Sequence, residues 1–226
     1  MRELALFAGA GGGLLASRLL GFETMAAVEI DEFCQEILRA RQKDGSLDSF
    51  PIFDDVRNFD GTEWRGKVDI VTGGFPCQDI STAGRGAGIN GEKSSLWWDM
   101  WRVCCEVGAS FVFVENSPEL ASRGLGDILG AMASRGWNAE WIVLGAGHVG
   151  APHIRERVWL LAGDTNGQSE PGSSQYDEVA GLPRLDQNWD SLRWTNPPVF
   201  CGVDDGLANR MDRLKAIGNG WVPQCA

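Results

Sequence analysis

The sequence has 226 residues, a formal net charge of −11 and six cysteines. This length suits one domain with a sizeable buried core. The negative charge excludes a generally basic surface for nucleic acid, because neutralised phosphates supply most non-specific affinity, so any nucleic-acid contact must be local. No apolar run approaches the roughly 20 residues of a membrane span. The N-terminus has no signal-peptide layout, and we expect a cytoplasmic protein.

The cysteine and histidine content argues against disulfides and against a metal. Six cysteines are too few for a disulfide scaffold in a chain of this size, and Cys104 and Cys105 are adjacent on a predicted helix, which does not suit a routine bridge. The two histidines, His148 and His153, have no cysteine partners at zinc-type spacing. The sequence therefore predicts reduced thiols and no bound metal.

The first predicted elements are a strand, a glycine-rich turn and a helix. Residues 4–7 are apolar, residues 8–13 contain four glycines, and residues 14–20 have a helical pattern. Such a turn brings backbone N–H groups to a ligand at a helix N-terminus. Leu14 stands where a dinucleotide-binding fingerprint needs a third glycine. The pattern leaves open a ligand-binding turn or an ordinary tight turn.

A second predicted strand, residues 24–28, ends at Glu29, and Asp31 opens an amphipathic helix that continues to about residue 41. Because Glu29 follows the glycine turn by roughly 20 residues, its carboxylate could accept hydrogen bonds from ribose hydroxyls. The alternative is an acid that favours a helix N-terminus through the helix dipole. That alternative fits Asp31 better than Glu29.

The next two strands lead to a cysteine on a loop. Residues 51–53 precede Asp55, and residues 68–72 lead into a turn with two glycines, Pro76 and Cys77. Glycines let the backbone approach a ligand and proline stiffens the turn, so Cys77 is a candidate nucleophile. Burial of Cys77 as a small apolar side chain is the alternative. The glycine-rich residues 79–95 are predicted to form a mobile lid, whose Arg85 and Lys93 either grip a phosphate or are simply solvated.

A helical pattern at residues 96–107 precedes an apolar strand, residues 111–114, which ends at Glu115. Because ligands bind outside the carboxyl ends of the strands in open α/β sheets, Glu29, Cys77 and Glu115 should gather on one rim. A carboxyl group buried there would have a raised pKa and could carry a proton at neutral pH.

A predicted helix at residues 127–134 and strands at 137–144 and 158–162 complete the regular pattern. Arg155 and Arg157 alternate with Glu156, so the two arginines share one face of an extended segment. The two arginines either belong to the functional site or form a solvated, salt-bridged face, and the pattern leaves both interpretations open.

The composition changes at residues 164–208, which are rich in Gly, Ser, Asn, Asp and Pro. This segment carries eight carboxylates against Arg184 and Arg193, a net charge of −6. Its composition predicts irregular structure. Helical periodicity returns at residues 209–217, before the closing stretch at 218–223.

In this order the stretches resemble the cytosine-C5 DNA methyltransferases, which use S-adenosylmethionine and are common in bacterial restriction-modification systems and in phages. The resemblance covers nearly the whole chain, and its motifs are Phe7 to Gly12, Glu29, Asp55, Pro76-Cys77-Gln78 with Ser81, Glu115-Asn116, Arg155-Glu156-Arg157, and residues 213–219 with Pro223.

The resemblance implies an α/β, doubly wound, Rossmann-like class I methyltransferase sheet with a short irregular target-recognition segment. Residues 1–163 would form the catalytic and cofactor-binding core and residues 164–208 the reduced recognition segment. Residues 209–226 would return to the core.

The resemblance also implies the chemistry. Cys77 would add as a thiolate to carbon 6 of a cytosine that has been rotated out of the duplex. Glu115, carrying a proton, would bind nitrogen 3 of the ring. Arg157 would hold the cytosine O2, and Arg155 would support Glu115 and the closing loop. The remaining catalytic residues implied by the motifs are Asn116, Gln78 and Ser81.

By the same resemblance, S-adenosylmethionine would bind beside the glycine turn and leave as S-adenosylhomocysteine. Phe7 would lie against the adenine, Glu29 would accept from the ribose, and Asp55 with Val56 would contact the adenine. The full implied set is Phe7, Ala8, Gly9, Gly11, Gly12, Glu29, Ile30, Asp55, Val56, Gly74, Pro76, Leu96 and Asn219.

The sequence departs from the family pattern in four places. Ala5 replaces a frequent aspartate, so a hydrogen bond to the amino-acid end of the cofactor is missing or supplied elsewhere. His153 replaces a frequent glutamine. The recognition segment is short and acidic. The sequence stops at Ala226, where the family continues into a helix, so we expect either a shortened chain or a missing final helix.

We therefore expect a bacterial or phage-encoded enzyme that methylates carbon 5 of cytosine in double-stranded DNA, as a monomer or with a partner that supplies DNA recognition. Two alternatives stay open. One is an RNA cytosine methyltransferase of the same fold, since a short recognition segment suits a substrate read by shape. The other is a catalytically weak relative that binds the cofactor.

Overall fold

The computed structural model describes residues 1–76, 96–151, 153–164, 220–223 and 225–226. Within these ranges, seven strands form a sheet in the order β3-β2-β1-β4-β5-β7-β6. The strands are β1 (Arg2–Leu6), β2 (Glu23–Val28), β3 (Ile52–Phe53), β4 (Ile70–Gly73), β5 (Phe111–Asn116), β6 (Trp137–Gly145) and β7 (Glu156–Asp164). The helices are α1 (Gly12–Leu19), α2 (Glu32–Lys43), α3 (Leu96–Val107), α4 (Leu120–Arg123) and α5 (Leu125–Ala133).

Strands β3, β2, β1, β4 and β5 run parallel, so their carboxyl ends share one rim of the sheet. In the register of β1 and β4, Ala5 lies opposite Thr72 and Leu6 lies opposite Gly73. The chain order changes direction at β1 and β4, whose loops lead away on opposite sides. This is the switch point where ligands bind in open α/β sheets.

Helices cover both faces of the sheet, which confirms the doubly wound α/β prediction. On one face, Leu14 of α1 and Leu38 of α2 pack with Ala5 and Ala27. On the other face, α3, α4 and α5 pack on the alternate residues of β1, β4 and β5; the largest fully buried side chains there include Leu4, Leu6, Trp97, Met100, Leu120, Ile128 and Met132. Alternation of side chains along β1 produces the two separate cores.

Strand β7 runs antiparallel between β5 and β6. Its register sets Trp159 opposite Glu115 and Val158 opposite Asn116. Both β6 and β7 are longer than their apolar runs predict, because each keeps pairing with the other along nine residues. The reversed strand carries Arg157 back toward the carboxyl rim of β5.

Three local features differ from the sequence prediction. The helix expected at residues 127–134 is α5, which begins two residues earlier, and a short additional helix, α4, precedes it across Gly124. Short 3₁₀ turns occur at Gly61–Trp64 and Ala146–Val149. In the described part of the chain, no helix is long and apolar enough to span a membrane, and no three His, Cys, Asp or Glu side chains cluster as metal ligands do.

Candidate active site

The glycine turn lies between β1 and α1 in a backbone conformation that few residues tolerate. Phe7, Gly9 and Gly11 all have positive φ angles of 55°, 54° and 92°. Such angles suit glycine and strain other residues, so Phe7 is held there by its surroundings. The turn is closed by a hydrogen bond from Gly11 N to the Ala8 carbonyl at 3.0 Å. Its N–H groups lie at the N-terminus of α1, as the sequence predicts.

A small cleft opens beside this turn, between the carboxyl ends of β1 and β4. Its lining residues are Ala5, Leu6, Phe7, Ala8, Gly13, Leu14, Thr72, Gly73 and Trp221. Trp221 covers the cleft so closely that a Cβ on Gly12 would lie 2.8 Å from the Trp221 carbonyl oxygen, and a Cβ on Gly13 would lie 3.1 Å from its ring. The two glycines are therefore required by this close approach.

Glu29 follows β2 and points at the glycine turn. Its Oε2 accepts a hydrogen bond from Gly9 N at 2.6 Å, and its Oε1 accepts one from Asp31 N at 2.7 Å. The side chain of Asp31 instead caps α2 by accepting from Phe33 N and Cys34 N. The two acids thus differ in what they contact: the Asp31 side chain caps α2, and the Glu29 side chain holds the glycine turn.

The other residues expected at the adenine lie near Glu29 along the same rim. Asp55 follows β3, which pairs with β2, and Arg57 binds both of its carboxylate oxygens at 2.6 to 3.0 Å. The Arg57 guanidinium lowers the pKa of Asp55. Val56 is buried, Ile30 is 61% exposed, and Leu96 begins α3 and packs against the core.

Glu115 lies near the end of β5, almost buried beside the turn that leads to Cys77. Burial raises the pKa of its carboxyl group, and Arg157 and Arg155 act in the opposite direction. Arg157 Nε lies 2.8 Å from Glu115 Oε1. A Cβ on Gly74 would lie 3.0 Å from Glu115 Oε2 and 2.8 Å from Trp221 Nε1. Gly74 therefore lets the carboxyl group and the indole meet at one point.

Asn116 fixes the backbone just before Pro76. Its Nδ2 donates to the Phe75 carbonyl at 3.0 Å, and its Oδ1 accepts from Ser117 N at 2.8 Å. Both polar atoms of the buried amide are thus hydrogen-bonded: Nδ2 joins the two rim segments, and the bond to Oδ1 fixes the orientation of the side chain. The sequence assigns Asn116 to the catalytic set, and the structure gives it contacts that orient the turn.

Arg155 and Arg157 serve different neighbours. Arg155 donates to the Gly220 carbonyl at 2.7 Å, so it holds the segment that carries Trp221. Arg157 makes the direct contact with Glu115, whereas Arg155 acts on that carboxyl group through its charge. The support for Glu115 that the sequence assigns to Arg155 is therefore shared with Arg157.

Four predicted site residues lie outside the described residues. They are Cys77, Gln78, Ser81 and Asn219. The predicted lid at 79–95 and the helical pattern at 209–217 lie there as well, as does the recognition segment beyond Asp164.

The sequence analysis missed two residues that line the cleft, Trp221 and Thr72, and a third, Glu3, that accepts a hydrogen bond from Thr72. Trp221 belongs to the closing glycine-containing stretch, but nothing local indicates that it packs at right angles to Phe113 and Trp159, with ring centroids 5.8 and 5.5 Å apart. A charged residue within an apolar strand was the available signal for Glu3, because such a residue needs buried partners.

The chain is similar to known proteins along most of its length. The family model of the C-5 cytosine-specific DNA methylases matches residues 1–183. Type II methyltransferase M.CviJI of Paramecium bursaria Chlorella virus IL3A is 34% identical over 224 residues, which is 98% of this chain and 56% of the viral protein. Type II methyltransferase M.HhaI of Haemophilus parahaemolyticus is 30% identical over 169 residues, which is 71% of this chain and 48% of that protein. The chain thus spans about half the length of these relatives.

Solved structures give the same fold. The S. pombe Dnmt2 methyltransferase matches with a TM-score of 0.61 at 18% identity, over 82% of this chain and 57% of that protein. The Entamoeba histolytica methyltransferase EhMeth matches with a TM-score of 0.61 at 14% identity, over 75% of this chain and 55% of that protein. The methyltransferase type of sheet expected from the sequence is thereby confirmed.

Proposed function

Because the chain belongs to the C-5 cytosine-specific DNA methylase family, we propose that it transfers a methyl group from S-adenosylmethionine to carbon 5 of cytosine in double-stranded DNA. The observation that carries the proposal is the contact between the buried Glu115 and the partly exposed Arg157, beside the Gly74 turn and the glycine-lined cleft. A buried carboxyl group with a raised pKa, next to a turn that leads to a cysteine, suits acid-assisted nucleophilic attack on a base.

The groups around the cleft suit the cofactor. Its glycines allow a close approach that a Cβ would block, since a Cβ on Gly13 would meet Trp221 and one on Gly73 would meet Leu6 and Met100. The glycine turn leads into the N-terminus of α1, which favours ligand contact with backbone N–H groups, and Glu29 offers a carboxylate after β2. Glu29 would hold the ribose hydroxyls, Asp55 and Val56 the adenine, and the glycine turn the amino-acid end. When bound, S-adenosylmethionine supplies an electrophilic methyl group.

Cys77 would perform the covalent step. Its thiolate forms a carbon–sulfur bond at carbon 6 of cytosine, and the electron pair of the 5,6 double bond is then available at carbon 5. Glu115 donates its proton to nitrogen 3, so that negative charge does not build up on the ring. After carbon 5 is methylated, a base removes its proton and the carbon–sulfur bond breaks, which frees Cys77 and restores the double bond.

The arginines and Asn116 would hold this machinery in place. Arg157 keeps the Glu115 carboxyl group oriented and offers N–H donors toward the cytosine O2. Asn116 ties the Phe75 carbonyl to the end of β5, so the backbone entering Pro76 and Cys77 is fixed relative to Glu115. Base flipping brings the cytosine to this rim, because carbons 5 and 6 are otherwise stacked inside the duplex.

We infer that the chain works as a monomer in the cytoplasm. The described residues contain no membrane-spanning helix, which is consistent with that location. The short acidic segment at 164–208 leaves a role for a partner that supplies DNA recognition. Light scattering of the purified chain, with and without duplex DNA, measures its molar mass and should give the mass of one chain.

The test of function is methyl transfer from radiolabelled S-adenosylmethionine to duplex DNA of random sequence, with transfer RNA as a second substrate. Wild type should label DNA and leave transfer RNA unlabelled. Cys77→Ala should lose transfer but keep its affinity for S-adenosylhomocysteine within about twofold, since that ligand needs only the cleft. DNA containing 5-fluorocytosine should become covalently attached to wild type, because fluorine replaces the proton that elimination requires. Labelling of transfer RNA alone would assign the chain to RNA.

A further inference from the structure

Glu3 is a fully buried acid on β1, directly beneath the cleft. Its Oε1 accepts hydrogen bonds from Ser17 Oγ and Thr72 Oγ1, each at 2.6 Å, and its Oε2 accepts one from Thr24 Oγ1 at 3.0 Å. The three donors come from α1, β2 and β4. Burial raises the pKa of the Glu3 carboxyl group, and the three hydroxyl hydrogen bonds act in the opposite direction by favouring the carboxylate.

Thr72 connects this buried acid to the cleft. It lines the cleft together with Ala5, and the two residues lie opposite each other in the register of β1 and β4. Because Thr72 gives its hydroxyl hydrogen to Glu3, its oxygen has only lone pairs left to offer to a ligand. A hydroxyl bound to a carboxylate is also a stronger acceptor, since chained hydrogen bonds polarise one another.

Ala5 lines the cleft at the position where many members of the family carry an aspartate, so no acid is present there. Glu3 lies two residues earlier on the same face of β1, about 7 Å along the strand. A carboxylate at that depth acts through a low dielectric, so its field reaches the cleft with little screening. The described residues that line the cleft otherwise include no charged side chain.

We propose that Glu3 and Thr72 together bind the ammonium group at the amino-acid end of the cofactor, in place of the acid missing at Ala5. Thr72 accepts the hydrogen bond, and Glu3 is the positioning residue that orients Thr72 and supplies the negative charge. This inference rests on the proposed function, because it requires a cofactor with an amino-acid end in the cleft.

The experiment is calorimetric titration with two ligands. S-adenosylhomocysteine carries the ammonium group, whereas 5′-methylthioadenosine keeps the adenosine and the thioether but has no amino acid. Thr72→Val preserves the shape of the side chain and removes the hydroxyl. This change should weaken the affinity for S-adenosylhomocysteine by about tenfold, and the affinity for methylthioadenosine should stay within about twofold of wild type. Thr72→Ser should restore the affinity, and Glu3→Gln should behave as Thr72→Val does.

Ser17→Ala is the matched control. It removes a hydroxyl donor from the same oxygen of Glu3, but Ser17 lies in α1 and does not line the cleft. The variant should lower thermal stability while both ligand affinities stay near those of wild type. Because Thr72→Val keeps the volume of the side chain and Thr72→Ser removes only one methyl group, they test the proposal even if Glu3→Gln does not fold.

The outcomes separate the two claims. If wild type binds S-adenosylhomocysteine and Thr72→Val does not weaken it, the role of Glu3 and Thr72 is overturned and the proposed function stands. Equal weakening of both ligands also overturns that role, since it would reflect general disturbance of the cleft. If wild type binds neither ligand, the proposed function fails and this inference fails with it.

Discussion

The Glu115 carboxyl group lies in surroundings that act on it in opposite directions. Burial favours the neutral form and raises its pKa, while the charges of Arg157 and Arg155 favour the carboxylate. Burial has the larger effect, so the group keeps its proton to a higher pH than an exposed glutamate does. Because the proposed chemistry uses Glu115 as an acid, activity is present below this raised pKa and declines as the pH rises through it.

The first prediction concerns that alkaline decline. Arg157→Gln removes a positive charge that lowers the pKa of Glu115. The pKa should therefore rise, and the alkaline limb of kcat/KM should move to higher pH. The rate itself should fall, because Arg157 also orients the carboxyl group. Rates measured across pH with DNA well below its KM would give the position of the limb. Arg65→Gln is the control, since Arg65 hydrogen-bonds the Cys105 carbonyl. A limb that moves to lower pH would show that Glu115 is not the acid.

Glu29 carries the second prediction. Its carboxylate already holds Gly9 N and Asp31 N, and in the proposed function it also accepts from the ribose. Glu29→Ala should weaken S-adenosylhomocysteine by roughly 1.5 to 3 kcal/mol, which is about 10- to 150-fold. The loss should appear in KM for the cofactor, with kcat at saturation largely kept.

Asp31→Ala is the matched change on the next acid along the chain. Asp31 caps α2, so its loss should lower stability by about 1 kcal/mol and leave cofactor affinity unchanged. A collapse of kcat in Glu29→Ala at saturating cofactor, with KM preserved, would contradict the ribose assignment.

Helix α1 begins against the segment that carries Trp221. Gly12, its first residue, would bring a Cβ within 2.8 Å of the Trp221 carbonyl oxygen and 3.0 Å of its nitrogen. These are backbone atoms that cannot rotate away. A side chain at position 12 would therefore force the segment at 220–223 to move. The same segment is held by Arg155 through Gly220.

The third prediction compares two glycine-to-alanine changes. Gly12→Ala should destabilise the fold by about 1 to 3 kcal/mol through overpacking and weaken cofactor binding. Gly130→Ala, on the exposed side of α5 with open space around it, should stabilise by about 0.5 to 1 kcal/mol. Denaturant unfolding monitored by circular dichroism measures both. Stabilisation by Gly12→Ala would mean that Trp221 does not pack on α1 in solution.

The elements themselves could be predicted because their signals are local. The apolar runs, the glycine turn and the acids at the ends of β2 and β5 each depend on neighbours in sequence, and the structure has them within one or two residues in most cases. The position of Trp221 could not be predicted, because its partners Phe113 and Trp159 lie on β5 and β7. The same holds for the hydroxyls around Glu3, which come from three different elements.

At the scale of the whole molecule, the net charge of −11 opposes association with DNA. The recognition segment at 164–208 adds eight carboxylates against two arginines. Two cations of the rim are already engaged, because Arg157 pairs with Glu115 and Arg155 binds the Gly220 carbonyl. The recognition segment and these two rim arginines therefore offer few free positive charges to neutralise phosphates, and sequence reading needs phosphate contacts to hold side chains at the base edges.

The fourth prediction is weak DNA binding with a shallow dependence on salt. Even if Arg155 and Arg157 leave these partners and join Arg85 and Lys93 at the phosphates, the slope of log K against log salt should be no steeper than about −4. Replacing Arg85 and Lys93 by glutamine should reduce the slope by about 2. The same change at Arg41 and Lys43, in the last turn of α2, should leave it unaltered. Fluorescence titration of a labelled duplex over a range of salt concentrations measures each slope. Nanomolar affinity with a steep slope for one defined site would instead make residues 164–208 a full recognition module, with its own contacts to phosphates and bases.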